Sequence, residues 1–481
     1  MYFSYTGLQM VESPVRVRFA PSPSGELHLG GARTALFNYL FSKQNNGNFF
    51  LRIEDTDQKR SDKIYIDQII ESLNWFGIRW DEPVIFQSKK FNDYRTYVDM
   101  LVKKEFAYPC FCSKKTLQKE KDKGNFLYSR TCRNLSDSEV KSRFNQGGSF
   151  VYRFKTPPGK TVFTDTIYGH NETDNDEIGD FIILRSDGSP TYNLCAVVDD
   201  HLLAITHVIR GEDHLSNTPK QILIYNALKL KQPTFSHLPM ILGSDKKRLS
   251  KRFGAQGIQN FKNDGYLNIA LMNYLAMLGW NPGNEKEIFS LDDLINDFDL
   301  KKVQKKSAIW DSQKLNWISN QHISLMTSNK ILENVRLLYP KWGTNKDAAF
   351  NIKVIDLLKP RINNFNDFAT QAQPFYNEPK IYDENDKLKA WPDSSVNTTI
   401  SDLRSILSQV YNWNEDLIEN QIKNFSKEKD IPLKKIIMPL RYLIFGNLKG
   451  PSLFTSIALI GRKTIINRIN LAIKNFQILK K

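Results

Sequence analysis

A chain of 481 residues with 67 Lys and Arg against 52 Asp and Glu carries a formal charge of +15, and at roughly 100–200 residues per domain it has room for about three domains. A hydrophobic fraction of 41% with 12% aromatics excludes a wholly disordered chain. A mean hydropathy of −0.45 without a long apolar run excludes a membrane helix, and four cysteines exclude a disulfide scaffold and point to a reducing compartment. Residues 1–14 hold no Lys or Arg and no apolar core, unlike a secretory signal or a transit peptide.

In chain order, Val15, Val17 and Phe19 alternate with Arg16 and Arg18 and predict a half-buried strand. Pro21-Ser22-Pro23-Ser24-Gly25 ends it in a turn, and Leu29, Ala32, Leu36, Phe37 and Leu40 follow at helical spacing. Phe49 to Ile53 predict a second strand closing on Glu54-Asp55-Thr56-Asp57; Ile66, Ile69, Ile70 and Leu73 predict a second helix. This order is that of a doubly wound α/β unit. Tyr94, Tyr97 and Leu101 predict a further helix, and residues 108–170, rich in charge and turn signals, read as an insertion. Strand-like runs at Phe181 to Leu184, Cys195 to Val198 and Thr206 to Ile209 predict a second α/β half completing the first sheet. From about residue 260 helical spacing dominates, and Pro and Asn near 360–400 mark a boundary between two helical units.

The charge is concentrated. Residues 431–481 hold ten basic residues and no acidic one; residues 89–150 hold 14 basic against 7 acidic, and the remainder is close to neutral. Two such regions are read either as contacts for a long polyanion such as nucleic acid or as solvated faces.

Two motifs carry chemistry. Pro21 to Gly31, containing His28, Gly30 and Gly31, lies between the first strand and first helix, where free N–H groups hold an anion. Lys246-Lys247-Arg248-Leu249-Ser250-Lys251-Arg252 is a basic loop suited to stabilising a departing phosphate. Alone, the first is an ordinary turn and the second a solvated basic segment.

Together, a His-x-Gly-His-type signature and a Lys-Met-Ser-Lys-Ser-type loop resemble a class I aminoacyl-tRNA synthetase. Arg18-Phe19-Ala20-Pro21-Ser22-Pro23, Leu51-Arg52-Ile53-Glu54-Asp55-Thr56-Asp57, Val208-Ile209-Arg210-Gly211-Glu212-Asp213-His214, Gly188 to Asn193 and Met438-Pro439-Leu440-Arg441 narrow the resemblance to bacterial-type glutamyl-tRNA synthetase. Arg248 stands where a lysine is usual and Phe253 where a histidine is common; Met10 is a second candidate start.

The resemblance implies an α/β Rossmann-type class I synthetase catalytic domain with an inserted α+β domain, followed by all-α C-terminal domains. Its expected boundaries are an extension at 1–14, catalytic halves at 15–100 and 191–245, and an acceptor-end-binding insertion at 101–190. A signature loop and stem-contact domain at 246–325 and helical anticodon-binding domains at 326–400 and 401–481 follow. The implied reaction joins L-glutamate to tRNA(Glu) through glutamyl-adenylate, with ATP and Mg²⁺, in the cytoplasm, by a monomer with no membrane partner.

The resemblance also implies roles. His28, Ser250, Lys251 and Arg252 act on the triphosphate; Gly30, Gly31, Glu212 and His214 join His28 and Lys251 around ATP. Arg18 and Arg210 take the glutamate side-chain carboxylate, Glu54 its ammonium, and Ser22 and Tyr192 hydrogen-bond it. Cys110, Cys112 and Cys132 match positions that hold zinc in some members, but Asn134 stands where a histidine ligand is expected. Tyr128 is the substitute donor, and both a Zn²⁺ site and three reduced thiols remain open readings. Asp199-Asp200 receives no role. Glutaminyl-tRNA synthetases are the nearest rival, but their anticodon domains are β-barrels, against the helical spacing of Leu403, Ile406, Leu407 and Val410 here. An RNA-binding paralogue without catalysis is the rival of another class, opposed by intact His28, Lys251, Arg18, Arg210 and Glu54.

Overall fold

In the computed structural model, which describes residues 14–57, 61–124, 127–249 and 257–476, the first alternating run becomes β1 (Arg16–Phe19) with Val17 and Phe19 buried. The chain turns into α1 (Leu29–Gln44), apolar and buried on most sides, and returns as β2 (Asn48–Ile53), parallel to β1 in register Arg16↔Asn48 to Phe19↔Leu51. Gly47 permits this return: a Cβ there would sit 2.2 Å from the Val15 carbonyl oxygen. α2 (Lys63–Phe76) is capped by Asp62 accepting from the Ile64 amide and stops at Gly77, φ 85°. β3 (Ile85–Phe86) extends the sheet beyond β2, and α3 (Phe91–Lys103) follows.

The next stretch comprises β4 (Ala107–Cys110), α4 (Lys114–Asp122), α5 (Asp137–Asn145), β5 (Val151–Phe154), β6 (Lys160–Asp165), β7 (Gly169–Asp174), α6 (Asn175–Ile178) and β8 (Ile182–Leu184). β4, β5 and β8 form an antiparallel sheet of their own. After α7 (Tyr192–Leu202) come β9 (His207–Gly211), α8 (Thr218–Leu228) and β10 (Thr234–Leu238). β9 and β10 pair in parallel, β6 touches β10 on its far side, and β7 runs antiparallel outside β6. Beside β1, the Thr206 amide donates to the Arg16 carbonyl at 2.9 Å and joins the two ladders. The result is a Rossmann-type layer whose parallel strands end on one rim.

Two expectations are corrected. Ile182–Leu184 is a strand, but it belongs to the sheet of β4 and β5, not to the parallel layer. Cys195 to Val198 is not a strand; it lies inside α7, buried all round. A helix enclosed on every side loses the polar stripe that marks its period, so its apolar run reads as a buried strand.

The chain divides into two compact units, Met1–Lys262 with Asn268–Ser312, and Asn263–Leu267 with Gln313–Lys481. Among the described residues 313–476 every regular element is helical, and one cluster of buried side chains runs from Ile323 to Ala472. Leu403 and Leu407 on the helix Ser395–Ser408 are wholly buried in it, as the spacing predicts. One of the ten C-terminal basic residues faces inward: Arg468 is buried and donates to the carbonyls of Ile444, Pro374 and Asn377. No described helix is long and apolar enough to cross a membrane.

Candidate active site

Parallel strands carry their exposed backbone ends and projecting side chains on one rim, where α/β sheets bind ligands. Arg18 near the end of β1, Glu54 just beyond β2 and Arg210 near the end of β9 all stand there. Arg18 is held by Asp200 at the end of α7, through Nε at 3.0 Å and Nη2 at 3.3 Å. Arg52, fully buried on β2, donates Nη1 to the same carboxylate at 2.6 Å and Nη2 to Glu54 at 3.1 Å. Asp199 lies 3.7 Å from Arg52 Nε and accepts from Gln87 Nε2 at 2.8 Å and the Tyr94 hydroxyl at 3.0 Å.

These environments push the carboxyls apart. Burial raises Glu54 and Asp199 above the ordinary range despite neighbouring cations. Burial opposes ionisation of Asp200 as well, but Arg18 and Arg52 outweigh it and hold this carboxyl below the ordinary range.

Arg210 differs. It donates Nε to His237 Nε2 at 3.0 Å, Nη1 to the Tyr192 hydroxyl at 3.3 Å, and Nη2 to Thr218 Oγ1 at 2.7 Å and the His214 carbonyl at 3.4 Å. Each of these partners among the described residues is uncharged, and Arg210 as a whole is 5% exposed. Burial and then Arg18 lower its pKa. A buried cation held only by neutral acceptors keeps its charge uncompensated, and an anion brought to it would offset that cost.

Tyr192 opens α7, and its ring lies 5.2 Å from the His214 ring. Burial and Arg210 lower His214 to about 4, keeping it neutral. Ser22 is exposed on the turn after β1; the neighbouring Pro21 carbonyl accepts the Glu54 amide at 3.0 Å and keeps this turn beside the end of β2.

At the other end, His28 caps α1. Its Nδ1 accepts the Gly31 amide at 3.1 Å, which assigns the proton to Nε2 and leaves an N–H donor beside a helix N-terminus. Desolvation and Arg248 keep this imidazole below its ordinary pKa and therefore neutral. A Cβ at Gly30 would press on the His28 ring at 3.2 Å, and one at Gly31 on Leu27 at 3.0 Å. Glu212 has both oxygens engaged, by the Met240 amide at 2.8 Å and the Tyr168 hydroxyl. Ser250, Lys251 and Arg252 lie outside the described residues. The flanks are described: Leu249 donates to the Ile241 carbonyl at 3.2 Å, and Gly257 pairs with His28.

Within the 101–190 stretch, the sulfurs of Cys110, Cys112 and Cys132 all lie within 4.8 Å of one another. The Tyr128 hydroxyl is 3.3 Å from Cys110 Sγ and 3.6 Å from Cys112 Sγ, and Arg153 stacks 3.8 Å over its ring. Three thiols and a phenol thus converge.

The sequence gives no role to Arg52, Asp200, His237 or Asp165, although all four touch the site. A carboxylate pair closing an apolar run is the signal that marks Asp199 and Asp200; nothing local marks His237.

A family model described as the catalytic domain of class I tRNA synthetases (E and Q) matches residues 14–317. The chain belongs to that family. Residues 330–473 of this class I synthetase match an anticodon-binding domain model. It is 42% identical to a glutamate–tRNA ligase of Aquifex aeolicus over 95% of this chain and 98% of that one. It is 40% identical to glutamate–tRNA ligase 2 of Caldicellulosiruptor saccharolyticus over 96% and 100%. A crystal structure of a glutamate tRNA ligase from Elizabethkingia meningosepticum, in complex with its amino acid, superposes with a TM-score of 0.86 at 32% identity, covering 97% of this synthetase and 100% of that chain.

Asp200 ties two strand-end arginines together, so Asp200→Asn should cost about 3–5 kcal/mol at pH 7, the usual effect of breaking a buried pair. Its folded pKa is depressed, so its contribution is complete above the unfolded pKa and is lost as pH falls through the folded value. Urea unfolding should therefore find a constant gap between the two proteins down to about pH 4.5 and a narrowing gap below it. A gap unchanged at every pH contradicts the assignment.

Proposed function

We propose that the chain is a glutamate–tRNA ligase: it activates L-glutamate with ATP and transfers the glutamyl group to the 3′-terminal adenosine of tRNA(Glu). The observation that carries the substrate choice is Arg210, a buried guanidinium whose four partners are all neutral. The side-chain carboxylate of glutamate supplies the missing anion, and a neutral amide would not. Arg18 joins it through Nη1, since Asp200 takes the Nε and Nη2 edge. Glu54 accepts the ammonium, with Ser22 and Tyr192 as hydrogen-bonding neighbours.

In the first step a carboxylate oxygen of glutamate attacks the α-phosphorus. An acyl–phosphate bond forms and the bond to pyrophosphate breaks. His28 Nε2–H and the start of α1 hold the phosphates, with Gly30 and Gly31 allowing close approach. Glu212 anchors the backbone at Met240, while His214 packs on Tyr192. Ser250, Lys251 and Arg252 stabilise the negative charge on departing pyrophosphate, and Mg²⁺ enters with the ATP phosphates as part of that substrate. In the second step a ribose hydroxyl attacks the acyl carbon and AMP leaves.

The basic 89–150 region serves the acceptor end and the C-terminal helices serve the anticodon end, in a monomer acting in the cytoplasm. Lys434, Lys435, Lys449, Arg462, Lys463 and Lys474 are exposed for that contact.

Purified protein should exchange pyrophosphate into ATP with glutamate in the presence of tRNA(Glu) and charge that tRNA. Lys251→Ala should slow activation about a hundredfold or more while sparing tRNA affinity. No exchange with or without tRNA favours an RNA-binding module, and charging of tRNA(Gln) with glutamine favours the rival specificity.

We also propose that Cys110, Cys112, Cys132 and Tyr128 hold Zn²⁺ as a structural ion. Four donors converge, which is the number a closed zinc site needs. Burial opposes ionisation of Cys110, but the Tyr128 hydroxyl and Arg153 outweigh it and hold this thiol below its ordinary pKa. Burial pushes Cys112 up to about 11 and raises Tyr128 as well, so those two protons would leave only on metal binding. The ion would tie the end of β4 to the turn at Cys132. Elemental analysis of protein expressed with zinc should find about one ion per chain. Cys132→Ser should lose the ion and lower the melting temperature; metal-free protein of unchanged stability refutes the site.

A further inference from the structure

The Arg210 guanidinium has a support that reaches across two strands. His237 on β10 is completely buried, and its ring stands between Arg210 and Asp165, the last residue of β6. Asp165 Oδ2 lies 2.6 Å from His237 Nδ1. The same carboxylate accepts the backbone amides of His237 at 3.0 Å, Ile167 at 2.9 Å and Tyr168 at 2.8 Å, so it is fixed in place. Burial resists its ionisation, yet His237 and these amides hold it below the ordinary carboxylate range.

An ionised Asp165 only accepts, which assigns the His237 proton to Nδ1 and leaves Nε2 bare. That lone pair receives Arg210 Nε–H at 3.0 Å. Thr218 Oγ1 completes the clamp, 2.7 Å from Arg210 Nη2 and 3.1 Å from His237 Nε2. The opposite tautomer would set two N–H groups against each other.

The clamp matters because of what surrounds it. Asp200 and Glu54 both act electrostatically on Arg210, and an arginine free to turn would pair with one of them and fill its own site. Neutral acceptors orient the guanidinium without neutralising it.

We propose that the Asp165–His237 pair is a positioning device that fixes the Arg210 guanidinium for an incoming carboxylate and so sets the preference for a carboxylate over the matching amide. This rests on Arg210 being the glutamate partner. His237 does not touch substrate; it acts through Arg210.

Single-contact variants test it. His237→Gln keeps an oxygen where Nε2 accepts from Arg210, and His237→Asn keeps a donor toward Asp165 but loses that acceptor. Thr218→Val, close to isosteric, removes the clamp from the other side. Aminoacylation kinetics with saturating tRNA should show His237→Asn and Thr218→Val raising the KM for glutamate about tenfold to a hundredfold, the range for a lost hydrogen bond to a charged group. The KM for ATP should stay unchanged and kcat within about threefold, the pattern of lost ground-state binding. Glutamate-over-glutamine discrimination should fall in parallel, and His237→Gln should hold the KM rise within about threefold. Melting temperatures of all three report whether folding was touched. Equal KM values in His237→Asn and His237→Gln, or a parallel rise in the KM for ATP, overturn the proposal. Arg210→Lys separates the levels: an unchanged glutamate KM there removes the underlying reading and this one with it. A raised KM there with normal His237→Asn and Thr218→Val rejects the positioning device alone.

Discussion

The site depends on one electrostatic constraint: Arg52 carries a full charge with no exposed surface, and such a charge persists only among partners. Its three carboxylate partners come from two places, Asp199 and Asp200 on α7 and Glu54 beyond its own strand. Satisfying Arg52 therefore fixes where α7 meets the ends of β1 and β2. Because Asp200 also takes Arg18, the same carboxylate that stabilises the interior orients an arginine at the strand-end rim. Stability and the geometry of the strand-end rim are here one network.

The two arginines at the rim are anchored by opposite means. Arg18 is tethered by a carboxylate and is largely neutralised by it; Arg210 is tethered by a histidine, a threonine, a tyrosine and a carbonyl and is not. A pocket built only from paired arginines would have little attraction left for an anion. One built only from unpaired ones would carry a desolvation cost with nothing to offset it until substrate arrived. The mixture leaves a single uncompensated positive centre beside a carboxyl, Glu54, that burial raises and cations restrain. That polarity matches a zwitterion with an extra carboxylate.

Features that depend on neighbours in sequence were legible. The alternation of β1, the turn and helix at His28, and the strand ending on Glu54 follow from spacing alone, and each lies where expected. Features that depend on distant partners were not. Asp200 meets Arg18 across 182 residues and Arg52 across 148, while His237 meets Asp165 across 72. No short window of sequence contains any of these three pairs. The error at Cys195 to Val198 has the same origin: period is visible only where one face is wet, and α7 has no wet face along that run. The run Phe181 to Leu184 reads as a strand and forms β8 over Ile182–Leu184, yet which sheet it joins is decided by β5, not by its own residues.

The formal charge of +15 now divides into two populations. The buried charged residues include six arginines, Arg18, Arg33, Arg52, Arg153, Arg210 and Arg468, against five aspartates, Asp55, Asp165, Asp180, Asp199 and Asp200. Among the described residues the buried set is therefore nearly balanced, and the excess of basic residues lies outside it. A small ion answers to interior charge, where each group is desolvated and geometrically fixed and a single missing or surplus charge is decisive. Surface charge is screened within about 8–10 Å in physiological salt, so it acts through number and not through placement of any one group. A polyanion answers to the second kind, releasing counterions in proportion to the cations it meets. One composition thus supports the two recognitions proposed above on two physical principles: two buried arginines at the strand-end rim for an amino acid, and many exposed basic residues for a nucleic acid.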